Sequence, residues 1–153
     1  MFDHCLYFNT TALARVLERE WTKAFKPFGL TPSQAFMLRA VLANPGMLQS
    51  ELAATLAISR STATRTLDGL QQLGLLQRVA TERDGRESAI EPSAAGIALR
   101  EQLDAASGEV SRRLKKELGQ SHFDETVTNV KKVRSVITLS LIHISEPTRP
   151  ERI

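Results

Sequence analysis

The sequence predicts a mainly α-helical fold with a small β-wing. Apolar residues recur at helical spacing through most of the chain before residue 139, and one strong hairpin signal, Asp84-Gly85, stands between two short runs of strand-forming residues. The chain has 153 residues, of which 42% are hydrophobic and 24% are charged, so it can bury a modest globular core. Its net charge of +3 permits a polyanionic partner without requiring one.

The first predicted helix occupies most of residues 1–30, where apolar residues repeat at helical spacing until Pro27 and Gly29 end it. Thr31-Pro32 begins a second helix, because the threonine hydroxyl can serve as N-cap and proline suits the first helical position. Asn44-Pro45-Gly46 ends that helix. Its buried side is predicted to consist of Phe36, Leu38, Val41 and Leu42.

A helix, a tight turn and a second helix are predicted over residues 49–73. The turn is Ala57-Ile58-Ser59, in which alanine permits close approach of the helices, isoleucine fills the corner and serine caps the next helix. In that next helix Ala63, Leu67 and Leu70 define the core side, which leaves polar residues near the N-terminus facing away. The residues that could reach phosphates and base edges from there are Ser59, Arg60, Ser61, Thr62, Arg65 and Thr66.

A β-hairpin is predicted next. Gly74 ends the preceding helix, Asp84-Gly85 suits a type I′ turn, and residues 88–90 form the return strand. Arg83 and Arg86 lie at the tip, where arginine suits a narrow minor groove. A helix-turn-helix followed by a basic wing can contact the major groove and the neighbouring minor groove together, so we expect double-stranded DNA as partner. Taken singly, each polar set also fits an ordinary solvated surface.

Residues 30–99 resemble the MarR (multiple-antibiotic-resistance regulator) family of winged helix-turn-helix transcription factors. The resemblance rests on the block ELAATLAISRSTATRTLDGLQQLGLL and on the wing sequence ERDGR, in which Asp84 and Arg86 match the family's Asp-x-Arg. It implies a winged helix-turn-helix domain over residues 31–92, with Arg86 in the minor groove and Asp84 orienting the wing arginines. Where the family often has Leu-Thr-Pro, this chain has Pro92-Ser93-Ala94, and Ser93 can still cap the next helix.

Residues 93–138 contain more apolar helix than a winged domain needs for its own core. One stripe comprises Leu99, Leu103, Ala106, Val110, Leu114 and Leu118, and a second comprises Phe123, Val127, Val130 and Ile137. With the N-terminal helix, these residues are expected to form a dimer interface. The family resemblance likewise implies a homodimer that binds a pseudopalindromic operator, and the alternative is a monomer in which the helices pack on their own chain.

The segment 139–153, LSLIHISEPTRPERI, differs in pattern from the rest of the chain. Pro147 and Pro150 end any helix, and the apolar residues before them do not continue the preceding stripe. The stretch LSLIHISEPTR resembles a translated sequencing-library adapter. We therefore expect this segment to be non-native, with the native sequence beyond about residue 138 lost. The alternative is a genuine disordered tail.

Few residues could sense a signal. His4, Cys5 and His122 are the soft metal ligands before residue 139, so we expect no metal site and no cofactor. Cys5 is a candidate redox switch, although a buried structural thiol is favoured because no cation stands next to it in sequence. A small-molecule effector could instead occupy a pocket between the first two helices and the long C-terminal helix. Its candidate lining residues, which also fit a plain core, are Trp21, Phe25 and Phe36.

Other classes of protein are disfavoured by composition and motifs. A single cysteine excludes an intramolecular disulfide and suits a reducing cytoplasm, and neither a signal leader nor a membrane span is evident. The sequence has no glycine-rich phosphate loop, HExxH or GxSxG motif, so we expect no enzyme. The favoured function is a DNA-binding regulator, in the form of a repressor released by a small ligand or oxidant. The alternative is a winged-helix module for protein contacts without DNA, which Glu51, Asp68 and Glu91 keep open.

Overall fold

The structure is a computed structural model that describes the backbone of residues 1–82 and 87–145, and their side chains up to Leu141. The chain divides into two compact units, Met1–Val110 and Ser111–Ile153. The first unit holds the sheet and the buried core, and the second holds the longest helix. This mainly helical architecture with one small sheet confirms the predicted fold class. Within the described ranges, no helix combines the length and apolarity that crossing a membrane requires.

Four helices precede the hairpin. They are α1 (Leu6–Phe25), α2 (Pro32–Ala43), α3 (Gln49–Leu56) and α4 (Arg60–Gln72), and a short 3-10 turn (Lys26–Phe28) follows α1. The start of α2 is fixed by a capping box, which confirms the N-cap predicted at Thr31. The Thr31 hydroxyl accepts a hydrogen bond from the Gln34 N–H at 3.2 Å, and Gln34 Oε1 accepts one from the Thr31 N–H at 3.0 Å.

The sheet has three antiparallel strands in the order β1-β3-β2. They are β1 (Met47–Leu48), β2 (Leu76–Ala80) and β3 (Ser88–Pro92). The predicted hairpin is the β2–β3 pair, and its described ladder ends at Ala80 opposite Ser88. Strand β1 was missed by the sequence analysis because two residues carry no periodicity. It pairs with β3 through Met47 opposite Ile90, so the hairpin is joined to the segment between α2 and α3.

The core lies in the first unit and largely follows the predicted helical faces. Ala63, Leu67 and Leu70 of α4 are fully buried, as their spacing predicts. One expectation is wrong: Phe36 is not part of the buried side of α2 but is 40% exposed. Phe25 fills the interior instead, and Phe36 packs against it edge-on with ring centroids 6.0 Å apart.

A short helix and a long helix follow the sheet. They are α5 (Ala94–Ala98) and α6 (Arg100–Leu118). The Ser93 hydroxyl accepts a hydrogen bond from the Gly96 N–H at 3.2 Å, which confirms the predicted cap. Gly96 packs so closely on the Leu75 carbonyl that a side chain there would overlap it. The part of α6 that belongs to the first unit contributes two buried apolar side chains, Leu103 and Val110.

The second unit contains the end of α6 and the longest helix, α7 (Gln120–Ser145), which begins after Gly119 in a left-handed conformation (φ 86°). Large apolar side chains of α7 are 42–62% exposed, namely Val127, Val130, Val133, Val136, Ile137, Leu139 and Leu141. The helix continues through residues 139–145. The described part of the expected tail is therefore helical rather than disordered, because the first helix-breaking residue, Pro147, lies beyond it.

Candidate nucleic-acid interface

The corner between α3 and α4 sets the direction of α4. Ala57 adopts a left-handed conformation (φ 56°), and the Ile58 N–H donates to the Ala53 carbonyl at 3.0 Å, so the chain reverses within two residues. The Ser59 hydroxyl then accepts a hydrogen bond from the Thr62 N–H at 3.2 Å, which confirms Ser59 as N-cap of α4. Sequence analysis identified this corner but not the left-handed alanine, which a glycine would normally supply.

The solvent-facing side of α4 is centred on Ser61 and Arg65, which are both exposed and lie one turn apart. Asp68 lies one turn further along the same side. Its carboxylate would repel phosphate, but Oδ1 accepts a hydrogen bond from Arg78 Nη2 at 2.7 Å. Arg78 also donates to Gln71 Oε1 at 2.5 Å. The negative charge on this side of the helix is therefore paired with a cation from β2.

The structure corrects the expected position of two hydroxyls. Thr62 and Thr66 are half-buried at the edge of this face rather than at its centre. Thr66 Oγ1 donates to the Thr62 carbonyl at 2.9 Å, and the Ser59 hydroxyl donates to Thr62 Oγ1 at the same distance. Successive residues on a helix are separated by 100°, which turns Thr62 and Thr66 away from the direction of Ser61 and Arg65. Their hydroxyls make local bonds, one to the N-cap and one to a helix carbonyl.

Two further polar residues border the opposite edge of α4 and were missed by the sequence analysis. Gln49 Nε2 donates to Thr64 Oγ1 at 2.8 Å, and Thr64 Oγ1 donates to the Arg60 carbonyl at 3.0 Å. Arg60 itself is exposed and lines a cleft of about 280 Å³ that lies between α3, α4 and the base of the hairpin. Thr64 could have been identified from its helical position, because it is next to Arg65 and therefore borders the same face of α4. No local sequence pattern places Gln49 beside Thr64.

The predicted wing residues Arg83, Asp84 and Arg86 lie outside the described residues, as does the predicted Asp84-Gly85 turn. The residue that follows them, Glu87, is described and half-buried. Its two carboxylate oxygens accept hydrogen bonds from the backbone N–H and the hydroxyl of Ser50, each at 2.9 Å. The end of the hairpin loop is thereby attached to the first turn of α3.

A cavity of about 490 Å³ lies beside the helix-turn-helix corner, between α1, α2 and α4. Its lining is Ala14, Leu17, Glu18, Trp21, Pro32, Ser33, Phe36, Leu56, Ile58 and Thr62. Of the predicted pocket residues, Trp21 and Phe36 therefore line it, and Phe25 does not because it is core. Its third wall is the helix-turn-helix rather than the long C-terminal helix. Trp21 Nε1 donates to the buried Ser107 Oγ of α6 at 3.1 Å, which fixes the indole.

The candidate sensing residues are not brought into one site. Cys5 is exposed at the N-terminus of α1, which overturns the expectation of a buried structural thiol. Within residues 1–82 and 87–141, no group of three or more histidine, cysteine, aspartate or glutamate side chains could hold a metal ion.

Comparison with known proteins bears on the family and the fold. A family model described as MarR family matches residues 28–87. The uncharacterized HTH-type transcriptional regulator YybA of Bacillus subtilis (strain 168) is 30% identical over 84 residues, covering 55% of this chain and 56% of that protein. The S. aureus MepR–DNA complex superposes with a TM-score of 0.78 at 20% identity, covering 85% of this chain and 96% of that one. The MarR protein from Peptoclostridium difficile gives a TM-score of 0.82 at 15% identity, covering 94% of each chain.

These matches agree with the predicted family and fold. The chain spans a little over half the length of the curated relatives it matches, and the similarity to solved structures at these identities establishes the fold. The matched family and relatives are transcriptional regulators rather than enzymes, which agrees with the prediction of a non-enzymatic protein.

Proposed function

We propose, from the match of residues 28–87 to a family model described as MarR family, that the protein is a transcriptional regulator that binds double-stranded DNA as a homodimer. We propose further that it acts as a repressor and that a small ligand or an oxidant releases it from its operator. The relatives support the first part, because YybA is named a transcriptional regulator and the MepR structure is a complex with DNA.

The exposed face of α4 is the observation that carries the DNA-binding proposal. Ser61 and Arg65 project from the helix that follows the corner, and the negative charge of Asp68 beside them is paired with Arg78. A guanidinium and a short hydroxyl at this position can contact phosphates and base edges in a major groove. The remaining proposed contacts are Ser59, Arg60, Thr62 and Thr66 around this helix and Arg83, Asp84 and Arg86 in the wing.

The DNA-binding test compares Arg65→Ala with Arg19→Ala, which removes the same charge from an exposed position on α1. The operator is first obtained by selecting bound sequences from a random duplex pool. At fixed salt, Arg65→Ala and Arg86→Ala are each expected to weaken operator binding by about 1–3 kcal/mol, and Arg19→Ala by less. Equal affinities for all four proteins would contradict the proposed interface. Absence of salt-dependent binding to any duplex would favour the protein-interaction module instead.

The homodimer proposal rests on apolar surface that each unit leaves exposed. On α1 the exposed side chains include Leu6, Tyr7, Phe8, Leu13 and Val16, and on α7, up to residue 138, they are Val127, Val130, Val133, Val136 and Ile137. A patch of this extent on a water-exposed helix favours association, because apolar burial contributes roughly 25 cal/mol per Å². We therefore assign residues 1–30 and 93–138 to dimerisation, with the second copy of the chain as the partner.

Sedimentation equilibrium of Val130→Glu tests the dimer. A charge at this position should shift the mass from dimer towards monomer at micromolar concentration, because burying an unpaired carboxylate is unfavourable. Lys131→Glu is the matched control, since it places the same charge on the neighbouring residue, which is already charged and exposed. A wild-type chain that sediments as a monomer, or a Val130→Glu chain that remains fully dimeric, would contradict the assignment of α7.

Release by a ligand is supported by the cavity beside the corner. Its walls are mainly apolar, and Ile58 and Thr62 connect it directly to the corner and to α4. A ligand that fits the cavity in only one arrangement of these helices would shift the population towards that arrangement. Small phenolic or lipophilic compounds are the ligand class proposed.

Fluorescence provides the ligand test, because the chain has a single tryptophan and Trp21 lines this cavity. Titration with substituted phenols is expected to change Trp21 emission and to weaken operator binding over the same concentration range. Cys5→Ser is the control: it should keep the phenol response and lose any response to peroxide. A phenol that changes the emission but leaves operator affinity unchanged would refute release through the cavity.

A further inference from the structure

The contact between Glu87 and Ser50 joins two parts of the fold that are 37 residues apart in sequence. Glu87 Oε1 accepts the Ser50 backbone N–H and Oε2 accepts the Ser50 hydroxyl, both at 2.9 Å, and both residues are half-buried. An ionised carboxylate that accepts two hydrogen bonds from one residue has a fixed position as well as a favourable energy.

The location of this contact follows from the way the β1–β3 ladder ends. Antiparallel pairing aligns Met47 with Ile90 and Leu48 with Ala89, and the same register would next bring residues 49 and 50 opposite 88 and 87. The chain turns into α3 at Gln49, so backbone pairing stops there. The Glu87 side chain continues the connection by bonding to α3 instead.

The first turn of α3 makes this an effective attachment point. N–H groups at the start of a helix have no partner within the helix, and the helix dipole favours negative charge there. Glu51 Oε1 accepts the Leu48 N–H at 3.2 Å, and Glu87 accepts the Ser50 N–H from outside the helix. Loss of the Glu87 carboxylate would therefore leave a helix donor without its partner and remove the contact that holds the end of the hairpin loop on α3.

Glu87 also lies at the end of the hairpin loop. It directly follows Arg86 and directly precedes Ser88, the first residue of β3, which pairs with Ala80 at the loop end of the ladder. Holding Glu87 on α3 fixes where the loop returns to the sheet. This end of the hairpin is then held by α3 as well as by the strand ladder.

We propose that Glu87 is a positioning residue for DNA binding, which attaches the hairpin to α3 so that Arg86 and the exposed face of α4 meet the duplex in one fixed geometry. This inference rests on the proposed function. It predicts a change in DNA affinity opposite to the one expected from charge alone. Removing a carboxylate near DNA should raise affinity on electrostatic grounds alone, whereas loss of the attachment should lower it.

The experiment compares Glu87→Ala with Glu82→Ala by fluorescence anisotropy on the selected operator at fixed salt. Glu82 is exposed, lies on the other side of the loop and makes no hydrogen bond or ion pair with the described residues. Its replacement therefore removes one negative charge and leaves the Glu87–Ser50 contact intact. Glu87→Ala is expected to weaken binding by about tenfold, and Glu82→Ala to leave it unchanged or stronger. Glu87→Ala binding as tightly as wild type, or more tightly, would overturn the proposal.

Conservative variants separate attachment from general loss of folding. In Glu87→Gln, the amide oxygen can still accept the Ser50 N–H and the amide nitrogen can donate to the Ser50 hydroxyl, so binding should stay within about twofold of wild type. Ser50→Ala removes one of the two bonds and should weaken binding by about threefold. An equal loss for Glu87→Gln and Glu87→Ala at unchanged melting temperature would contradict the geometric role.

Two measurements distinguish failure of this inference from failure of the proposed function. In an Arg86→Ala background, Glu87→Ala should add little further loss, because the group being positioned is gone; a full additional tenfold loss would refute positioning of Arg86. In the free protein, Glu87→Ala should speed amide exchange in the hairpin and leave α4 unchanged, and equal exchange rates would refute the attachment. Faster exchange combined with a silent Arg86→Ala would refute the wing contact in the proposed function, and with it the positioning of Arg86, while the attachment of the hairpin to α3 would stand.

Discussion

Replacing Asp68 by asparagine is expected to strengthen the binding of this protein to duplex DNA. Asp68 lies on the same side of α4 as Ser61 and Arg65, and its charge is balanced by Arg78 at 2.7 Å. In Asp68→Asn the guanidinium keeps its charge and loses the neutralising carboxylate. The local charge therefore changes from zero to +1 beside the proposed duplex.

The size of this effect follows from Coulomb's law in water. Two unit charges about 10 Å apart interact by roughly 0.4 kcal/mol at a dielectric constant near 80, and the Debye length of about 8 Å at physiological salt reduces this further. With a few phosphates in range, the total is about 0.5–1 kcal/mol, or roughly twofold to fivefold in affinity. Stability should change little, because Asp68 is 61% exposed and an exposed ion pair contributes about 0–1 kcal/mol.

The assay is operator binding of Asp68→Asn, Arg78→Ala and the double variant across a salt series. Arg78→Ala leaves the carboxylate unbalanced and should weaken binding by a similar factor, whereas the double variant restores neutrality and should bind like wild type. If the pair only held α4 against β2, both single variants would bind more weakly and the double variant would not recover. Weaker binding by Asp68→Asn would therefore refute the electrostatic argument.

Two further predictions concern stability and are checked by urea unfolding. Ser107→Ala removes the acceptor of the Trp21 indole N–H and should lower the free energy of unfolding by about 1 kcal/mol; an unchanged midpoint would mean that solvent replaces the bond fully. Gly96→Ala should lower it by about 2 kcal/mol or more, because a methyl group would overlap the Leu75 carbonyl, which belongs to the backbone and cannot rotate away. Gly108→Ala is the matched control, since nothing lies within 4 Å of the added carbon, and it should stabilise α6 by about 0.5–1 kcal/mol. A Gly96→Ala chain as stable as wild type would show that the overlap is relieved elsewhere.

Local sequence rules predicted the helices, their caps and the interior face of α4. Thr31, Ser59 and Ser93 were identified as N-caps because a capping hydroxyl bonds to a backbone N–H within three residues. The burial of Leu67 and Leu70 likewise follows from a spacing that is visible in the sequence. These features depend on neighbours along the chain, so the sequence contains what is needed to find them.

The features that escaped prediction connect residues distant in sequence. Trp21 bonds to Ser107 across 86 positions and Glu87 to Ser50 across 37, and no periodicity marks either pair. Strand β1 was missed for the same reason, because its two residues become a strand only by pairing with β3. The half-buried positions of the α4 threonines depend on how other elements, α2 among them, pack beside the helix, which the spacing within α4 does not specify.

The left-handed alanine at the corner has an evolutionary consequence. At position 57, glycine would relieve steric strain in the folded chain by roughly 1 kcal/mol, and it would also give the unfolded chain more freedom, at a cost of similar size. The two contributions oppose each other. Alanine and glycine should therefore interchange at position 57 during divergence with little selection against either. The identity of this residue in a related sequence would then say little about whether the bend is kept.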